Sequence, residues 1–189
     1  MYQDDADLIV LNDGSIVLAW EGYEHDIEEN DVFIRMFESQ MVGTNGRDKL
    51  SGTAADDIIS GRGHSDLLLG QAGNDLIEGG NGRDVLLGGK GNDVLNGGKG
   101  NDLLNGGAGA DQFVFGDGRD KIAKFVDDVD EIVPDAAALG ISGLTANQIV
   151  TQFGSVSSNQ VVLDFGGGDV LTIKGVNDLA SLVDDISFL

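Results

Sequence analysis

Eight aspartates stand nine residues apart in this chain: Asp48, Asp57, Asp66, Asp75, Asp84, Asp93, Asp102 and Asp111. Each fills the sixth place of a nine-residue phrase that runs eight times from Gly43 to Val114. The last four copies read GGNGRDVLL, GGKGNDVLN, GGKGNDLLN and GGAGADQFV; the earlier ones, GTNGRDKLS, GTAADDIIS, GRGHSDLLL and GQAGNDLIE, are looser. A carboxylate on a fixed period builds a line of negative charge once the copies stack. At the strand-pairing distance of about 4.8 Å, two carboxylates repel by about 1 kcal/mol even in water, and by more in a drier site. A hard divalent cation between them reverses the sign. Calcium accepts roughly 6–8 oxygen ligands in irregular geometry, whereas magnesium wants a small octahedron and keeps its waters. Zinc is disfavoured, because there is no cysteine and the two histidines, His25 and His64, lie far apart.

The elements that position these carboxylates follow from the rest of the phrase. Its first six residues are a glycine-rich loop, where positive φ and close backbone approach let carbonyls converge. Its last three predict a short strand that turns only the middle side chain inward. Those eighth places are Leu50, Ile59, Leu68, Ile77, Leu86, Leu95, Leu104 and Phe113, a continuous apolar column. Two phrases make one turn of a flattened coil, so loops alternate between two edges and copy n lies beneath copy n+2. The eight copies predict four turns, a stack of roughly 19 Å. Asp75, Asp93 and Asp111 then line one edge, and Asp66, Asp84 and Asp102 the other.

This array resembles the calcium-binding nonapeptide repeats of repeats-in-toxin (RTX) proteins. The resemblance implies an all-β dominated fold, a right-handed parallel β-roll, with several calcium ions held between loops n and n+2. The ligands it implies are the sixth-place aspartates and the carbonyls of places one to four. Those carbonyls belong to Gly70, Gln71, Ala72 and Gly73; Gly79, Gly80, Asn81 and Gly82; Gly88, Gly89, Lys90 and Gly91; Gly97, Gly98, Lys99 and Gly100; and Gly106, Gly107, Ala108 and Gly109. The best-matched pairs are Asp75 with Asp93, Asp84 with Asp102, and Asp93 with Asp111. Copy two departs with Ala55 at place four and an extra Asp56, and copy three has His64 there, read as a loop substitution. Gly116, Gly118 and Asp120 resemble a degenerate ninth copy that would close one more site with Asp102. Lys90 and Lys99 are expected to be solvated.

The chain of 189 residues carries a formal charge of −22. The charge is −10 over residues 1–42, −4 over 43–114 and −8 over 115–189, which makes nucleic acid and anionic membrane poor partners. No segment is long and apolar enough to predict a membrane span, so no stable insertion is expected. The start, Met1-Tyr2-Gln3-Asp4-Asp5, does not read as a signal peptide. With no disulfide available, metal binding can act as the staple, since its free energy becomes folding free energy. The resemblance implies a secreted, extracellular or cell-surface protein, exported through a type I secretion apparatus. The ending Asp184-Asp185-Ile186-Ser187-Phe188-Leu189 looks like the acidic-then-apolar tail of such substrates, and also like a final edge strand.

Three regions are expected: an N-terminal β segment over 1–42, the β-roll over 43–123, and a capping and secretion-associated region with β-strands and short helices over 124–189. In the first, Leu8–Leu11 and Ser15–Trp20 read as a hairpin around Asn12-Asp13-Gly14, with a third strand at Val32–Phe37 after an acidic loop. It resembles one unit of a propeller-like segment or a cap on the coil, with Trp20 in its core. In the last, Phe113, Phe115, Ile122 and Phe125 are expected to cover the coil's end. Thr145 would cap a helix over 145–152, Gln160–Phe165 and Asp169–Lys174 would form a hairpin around Gly166–Gly168, and 177–183 would form a second short helix.

No catalytic constellation appears: HExxH, GxSxG and P-loop patterns are all missing, and neither histidine sits in a motif. The glycine loops lead into strands rather than helices, which excludes dinucleotide and phosphate cradles. The sequence therefore reads as a non-enzymatic, calcium-dependent folding and secretion module of a larger exported protein, whose activity would lie upstream. The alternatives are a polysaccharide-binding module of an extracellular enzyme such as an alginate epimerase, or an adhesin segment.

Overall fold

The computed structural model describes three backbone strands at 6–10, 16–22 and 31–37, then residues 39–157 and 159–188. Strands β1 (Ala6–Val10), β2 (Ile16–Gly22) and β3 (Asp31–Phe37) form an antiparallel sheet of their own. In the backbone register Leu8 pairs with Leu18, and Trp20 with Phe33. The Asn12-Asp13-Gly14 turn, most of the acidic loop and the Trp20 side chain lie outside the described residues.

The rest is a parallel β-solenoid of about five turns. Its strands are β4 (Ser39–Val42), β5 (Lys49–Ser51), β6 (Asp57–Gly63), β7 (Leu67–Ala72), β8 (Leu76–Gly82), β9 (Val85–Lys90), β10 (Val94–Gly100), β11 (Leu103–Ala108), β12 (Gln112–Phe115), β13 (Asp117–Ile122) and β14 (Glu131–Pro134). Odd and even strands stack on opposite faces, and β13 bends from one face to the other. The register advances eighteen residues per turn, as the doubled nine-residue period requires: Ile59 lies on Ile77, Ile77 on Leu95, and Leu95 on Phe113. The apolar column is fully buried from Ile59 to Phe113, and Leu50, at the first turn, is half-buried.

Three differences from the sequence expectation have physical causes. The strands are longer than triplets, because pairing continues around the bend: Asn96 faces Glu78, one residue is skipped, and Gly98 faces Gly80. Glycines at the second and fourth places make this possible, with φ of 122° at Gly89 and 118° at Gly91. That backbone turns its amides along the stack, so Gly91 N–H donates to the Ala108 carbonyl at 2.9 Å. Arg62, His64 and Gln71 adopt the same left-handed backbone without being glycine, so the looser copies keep the geometry at a local cost. The ladder also outruns the repeats, since β4 pairs with β6 before Gly43 and β14 pairs with β12 after Val114.

The C-terminal region continues the coil and closes it. Helix α1 (Ala146–Phe153) starts at Thr145 through a reciprocal capping box with Gln148. Strands β15 (Gly154–Val156), β16 (Gln160–Gly166) and β17 (Asp169–Lys174) follow, and β17 stacks on β13 with Ile173 over Ile122. Phe113 and Phe125 meet as expected, at 6.2 Å between ring centres. Phe165 joins Phe115 at 5.6 Å and Phe153 at 5.0 Å, two aromatic partners the sequence did not single out. The second helix shrinks to one 3-10 turn, Ala180–Leu182. The final edge strand reduces to one parallel bridge, Ile132 to Ile186.

Candidate metal centre

The strand register brings each sixth-place aspartate directly over the one two copies earlier. From Asp57 to Asp111 all are at most 3% exposed, and Asp120 joins them at 2%. From Asp66 onward one carboxylate oxygen of each is fixed by the backbone below. Asp57 N–H donates to Asp75 Oδ1 at 2.8 Å, Asp75 N–H to Asp93 Oδ1 at 2.9 Å, and Asp93 N–H to Asp111 Oδ1 at 3.0 Å. On the other edge the same bond joins Asp66 to Asp84, Asp84 to Asp102, and Asp102 to Asp120. The three pairs expected from the sequence and the degenerate ninth copy all have this geometry.

The second carboxylate oxygen carries the chemical information. Oδ2 of Asp66, Asp75, Asp84, Asp93, Asp102 and Asp120 is buried and has no hydrogen-bond partner. Buried polar atoms in folded proteins are nearly always satisfied, so a periodic column of unpartnered carboxylate oxygens fits a bound cation. The buried first-place glycine frames it. A methyl group built on Gly79 would lie 2.6 Å from Asp84 Oδ2 and 2.5 Å from the Gly97 carbonyl. On Gly61 it would lie 2.5 Å from Asp66 Oδ2 and 2.7 Å from the Gly79 carbonyl. Carboxylate and carbonyl oxygens therefore converge where only hydrogen fits. These are all hard oxygen donors, which suits calcium.

The first two copies differ. Thr44 N–H and hydroxyl donate to Asp48 Oδ2 at 2.7 and 3.0 Å, and Thr53 supplies the same pair to Asp57 Oδ2 at 2.6 and 3.1 Å. Threonine at the second place thus takes the oxygen that later copies leave open. Its recurrence at that place, against glycine later, was the available signal. Sequence reasoning also missed Asp130. It is 4% exposed and its Oδ1 accepts the Asp111 N–H at 3.1 Å, extending one column by a further step. That step is nineteen residues rather than eighteen, which broke the period; the DEIV pattern around it was the clue. Lys90, Lys99 and His64 are exposed.

Burial raises Asp75, Asp84, Asp93, Asp102, Asp111 and Asp120 above the ordinary carboxylate range. Asp75, Asp102 and Asp111 rise to about 6, with the N–H from the turn below pulling down and neighbouring carboxylates adding to the rise. Asp120 rises to about 8 for the same first reason, with Asp102, Asp117 and Asp169 around it. Asp84 and Asp93 shift in the same direction. A folded-state value above the unfolded one means that the metal-free coil takes up protons as it forms. That contribution is complete below about pH 4 and is lost as pH rises through about 6 to 8. In excess chelator, strand content measured by circular dichroism should therefore increase from pH 7.5 to pH 5. In the same interval the calcium needed for half-response should rise, because protons occupy the ligand oxygens.

The family comparison agrees with a calcium-binding repeat. The family model described as the RTX calcium-binding nonapeptide repeat (4 copies) matches residues 42–77, 62–95 and 87–122. No curated protein matches the chain. Among solved structures, the AlgE6R3 subunit of the Azotobacter vinelandii mannuronan C5-epimerase is 25% identical, with 80% of each chain covered and a TM-score of 0.42. The extracellular lipase LipA from Serratia marcescens is 18% identical, with 81% of this chain and 40% of that one covered and a TM-score of 0.40. Residues 42–122 thus carry repeats of the kind described as RTX calcium-binding nonapeptide repeats, and repeats of that kind bind calcium.

Proposed function

We propose that this chain is a calcium-dependent folding module of a larger exported protein, and that calcium stacked between loops n and n+2 drives its folding outside the cell. The observation that carries this reading is the double column of buried, unpartnered Oδ2 atoms. Without a cation, those carboxylates are a desolvated line of like charge, and the glycine-rich loops lose more backbone entropy on ordering than other residues would. With calcium, each filled site joins one turn to the next, so order propagates along the stack as in other repeat proteins. The ions would be held by the sixth-place aspartates from Asp66 to Asp111, by Asp120, and by the loop carbonyls of the copies from Gly70 onward.

Compartment then controls the fold. Extracellular calcium modules work at about 10⁻⁴–10⁻³ M, far above cytosolic levels, so the chain would stay unfolded and export-competent inside and fold after passing a type I channel. Folding outside would also oppose return. No catalytic role is assigned to this segment. Binding of an anionic polysaccharide has weaker support: the charge of −22 opposes it, although Arg83, Arg119 and Lys121 line one cavity of about 440 Å³.

Circular dichroism with and without chelator tests the proposal. Strand signal should appear at millimolar calcium and vanish in excess EGTA at neutral pH. Strand signal that persists unchanged in EGTA would sink it.

A further inference from the structure

A second carboxylate cluster lies outside the repeats. Asp128, Asp184 and Asp185 bring one oxygen each to within 4.8 Å of one another. They come from two segments far apart in the chain. Asp128 sits in the bend before β14, with φ of 61°, and the other two precede the bridge at Ile186. The backbone fixes this approach. Ile132 N–H donates to the Asp185 carbonyl at 2.8 Å, Ser187 N–H donates to the Ile132 carbonyl at 3.0 Å, and Asp128 N–H donates to Asp185 Oδ1 at 3.2 Å.

Exposed acids often gather without meaning, but Asp185 is not exposed. It is 5% accessible, and its Oδ2 is buried with no hydrogen-bond partner. That is the condition of the repeat aspartates, here in a residue that no nonapeptide contains. The cavity it faces, about 340 Å³, is lined by Asp128, Val129, Asp130, Glu131, Asp184 and Asp185. Among the described residues no basic side chain lines it. Burial raises Asp185 to about 6; the charges of Asp127 and Asp184 and a side-chain hydrogen bond with Asp127 add to the rise, and the Asp128 N–H opposes it. A shared cation would offset the mutual repulsion of these carboxylates.

We propose that Asp128, Asp184 and Asp185 form a separate calcium site that clamps the segment Asp184–Ser187 to the last turn of the coil. Three carboxylates supply hard oxygen ligands from one open side, and the cavity leaves room for water to complete a shell of roughly 6–8 oxygens. The ion closes a loop of 55 residues between Asp128 and Asp184, a staple in a fold without cysteine. The site is independent of the folding reading, because it uses neither the loop glycines nor the sixth-place aspartates.

The test uses the full chain and the double variant Asp128→Asn, Asp184→Asn. Both side chains are exposed, so the fold should tolerate the change. Calorimetric titration with calcium counts bound ions, and amide exchange at Ile132 and Ser187 reports the clamp. The variant should bind one ion fewer with its calcium-induced strand signal intact. In the native chain, calcium at ten times the site's dissociation constant should slow exchange at these two amides by about tenfold relative to the variant. An unchanged ion count overturns the site. A count one lower with equal exchange rates overturns the clamp. Loss of the strand response in the native chain would instead count against the folding reading alone.

Discussion

Replacing Asp93 with alanine should raise the calcium needed for half-folding by more than about tenfold and flatten the titration. Asp93 stands in the middle of its column, 1% exposed, and takes part in two successive pairs. Its Oδ1 accepts the Asp75 N–H, its own N–H donates to Asp111, and its Oδ2 is one of the orphans. Alanine removes a ligand from both sites and leaves the buried Asp75 amide unpaired, a penalty of about 1–3 kcal/mol by itself. Because each turn templates the next, the loss should also reduce cooperativity. Glu78→Ala, which removes an exposed charge from the same stack, is the control and should leave the midpoint within about twofold. A titration of Asp93→Ala that overlays the native one would contradict the n to n+2 pairing.

A second large effect is expected from Gly88→Ala. This first-place glycine is buried, and an added methyl would overlap Asp93 Oδ2 and lie 2.6 Å from the Gly106 carbonyl of the turn above. Neither can retreat, since the carbonyl belongs to the stacked backbone and the carboxylate is tied to Asp75 N–H. Overpacking against backbone costs about 1–3 kcal/mol or more, and here it also pushes aside a carboxylate oxygen that would hold the cation. A loss above about 3 kcal/mol in calcium-saturated urea unfolding is expected. Gly140→Ala provides the comparison, because nothing lies within 4 Å of its added methyl and only its φ of 67° is strained. That change should cost about 1–2 kcal/mol. Equal losses for the two variants would mean that the glycine column serves backbone conformation only, not a cation cradle.

Much of this site was legible because its geometry is periodic. A nine-residue phrase with one inward apolar side chain admits few stackings, and it placed the column from Ile59 to Phe113 and the pairing of Asp75, Asp93 and Asp111 before any coordinates. Local chemistry was equally readable: Thr145 caps its helix through bonds spanning three residues, and the glycine turn joins β16 to β17. Wherever the period slipped, legibility ended. One inserted residue hid Asp130, and the second-place threonines that satisfy Asp48 and Asp57 looked like ordinary loop variation.

The sequence by itself determined the repeat, its apolar column, the placement of a carboxylate at every step and therefore the need for a hard cation. These follow from interactions that recur at a fixed separation along the chain. Only the tertiary structure decided which carboxylate oxygens are left without a partner. It also decided that pairing runs on through the glycines, and that Asp185 meets Asp128 at the end of the coil. Burial and donor supply depend on where distant segments come to rest, and no local pattern encodes that.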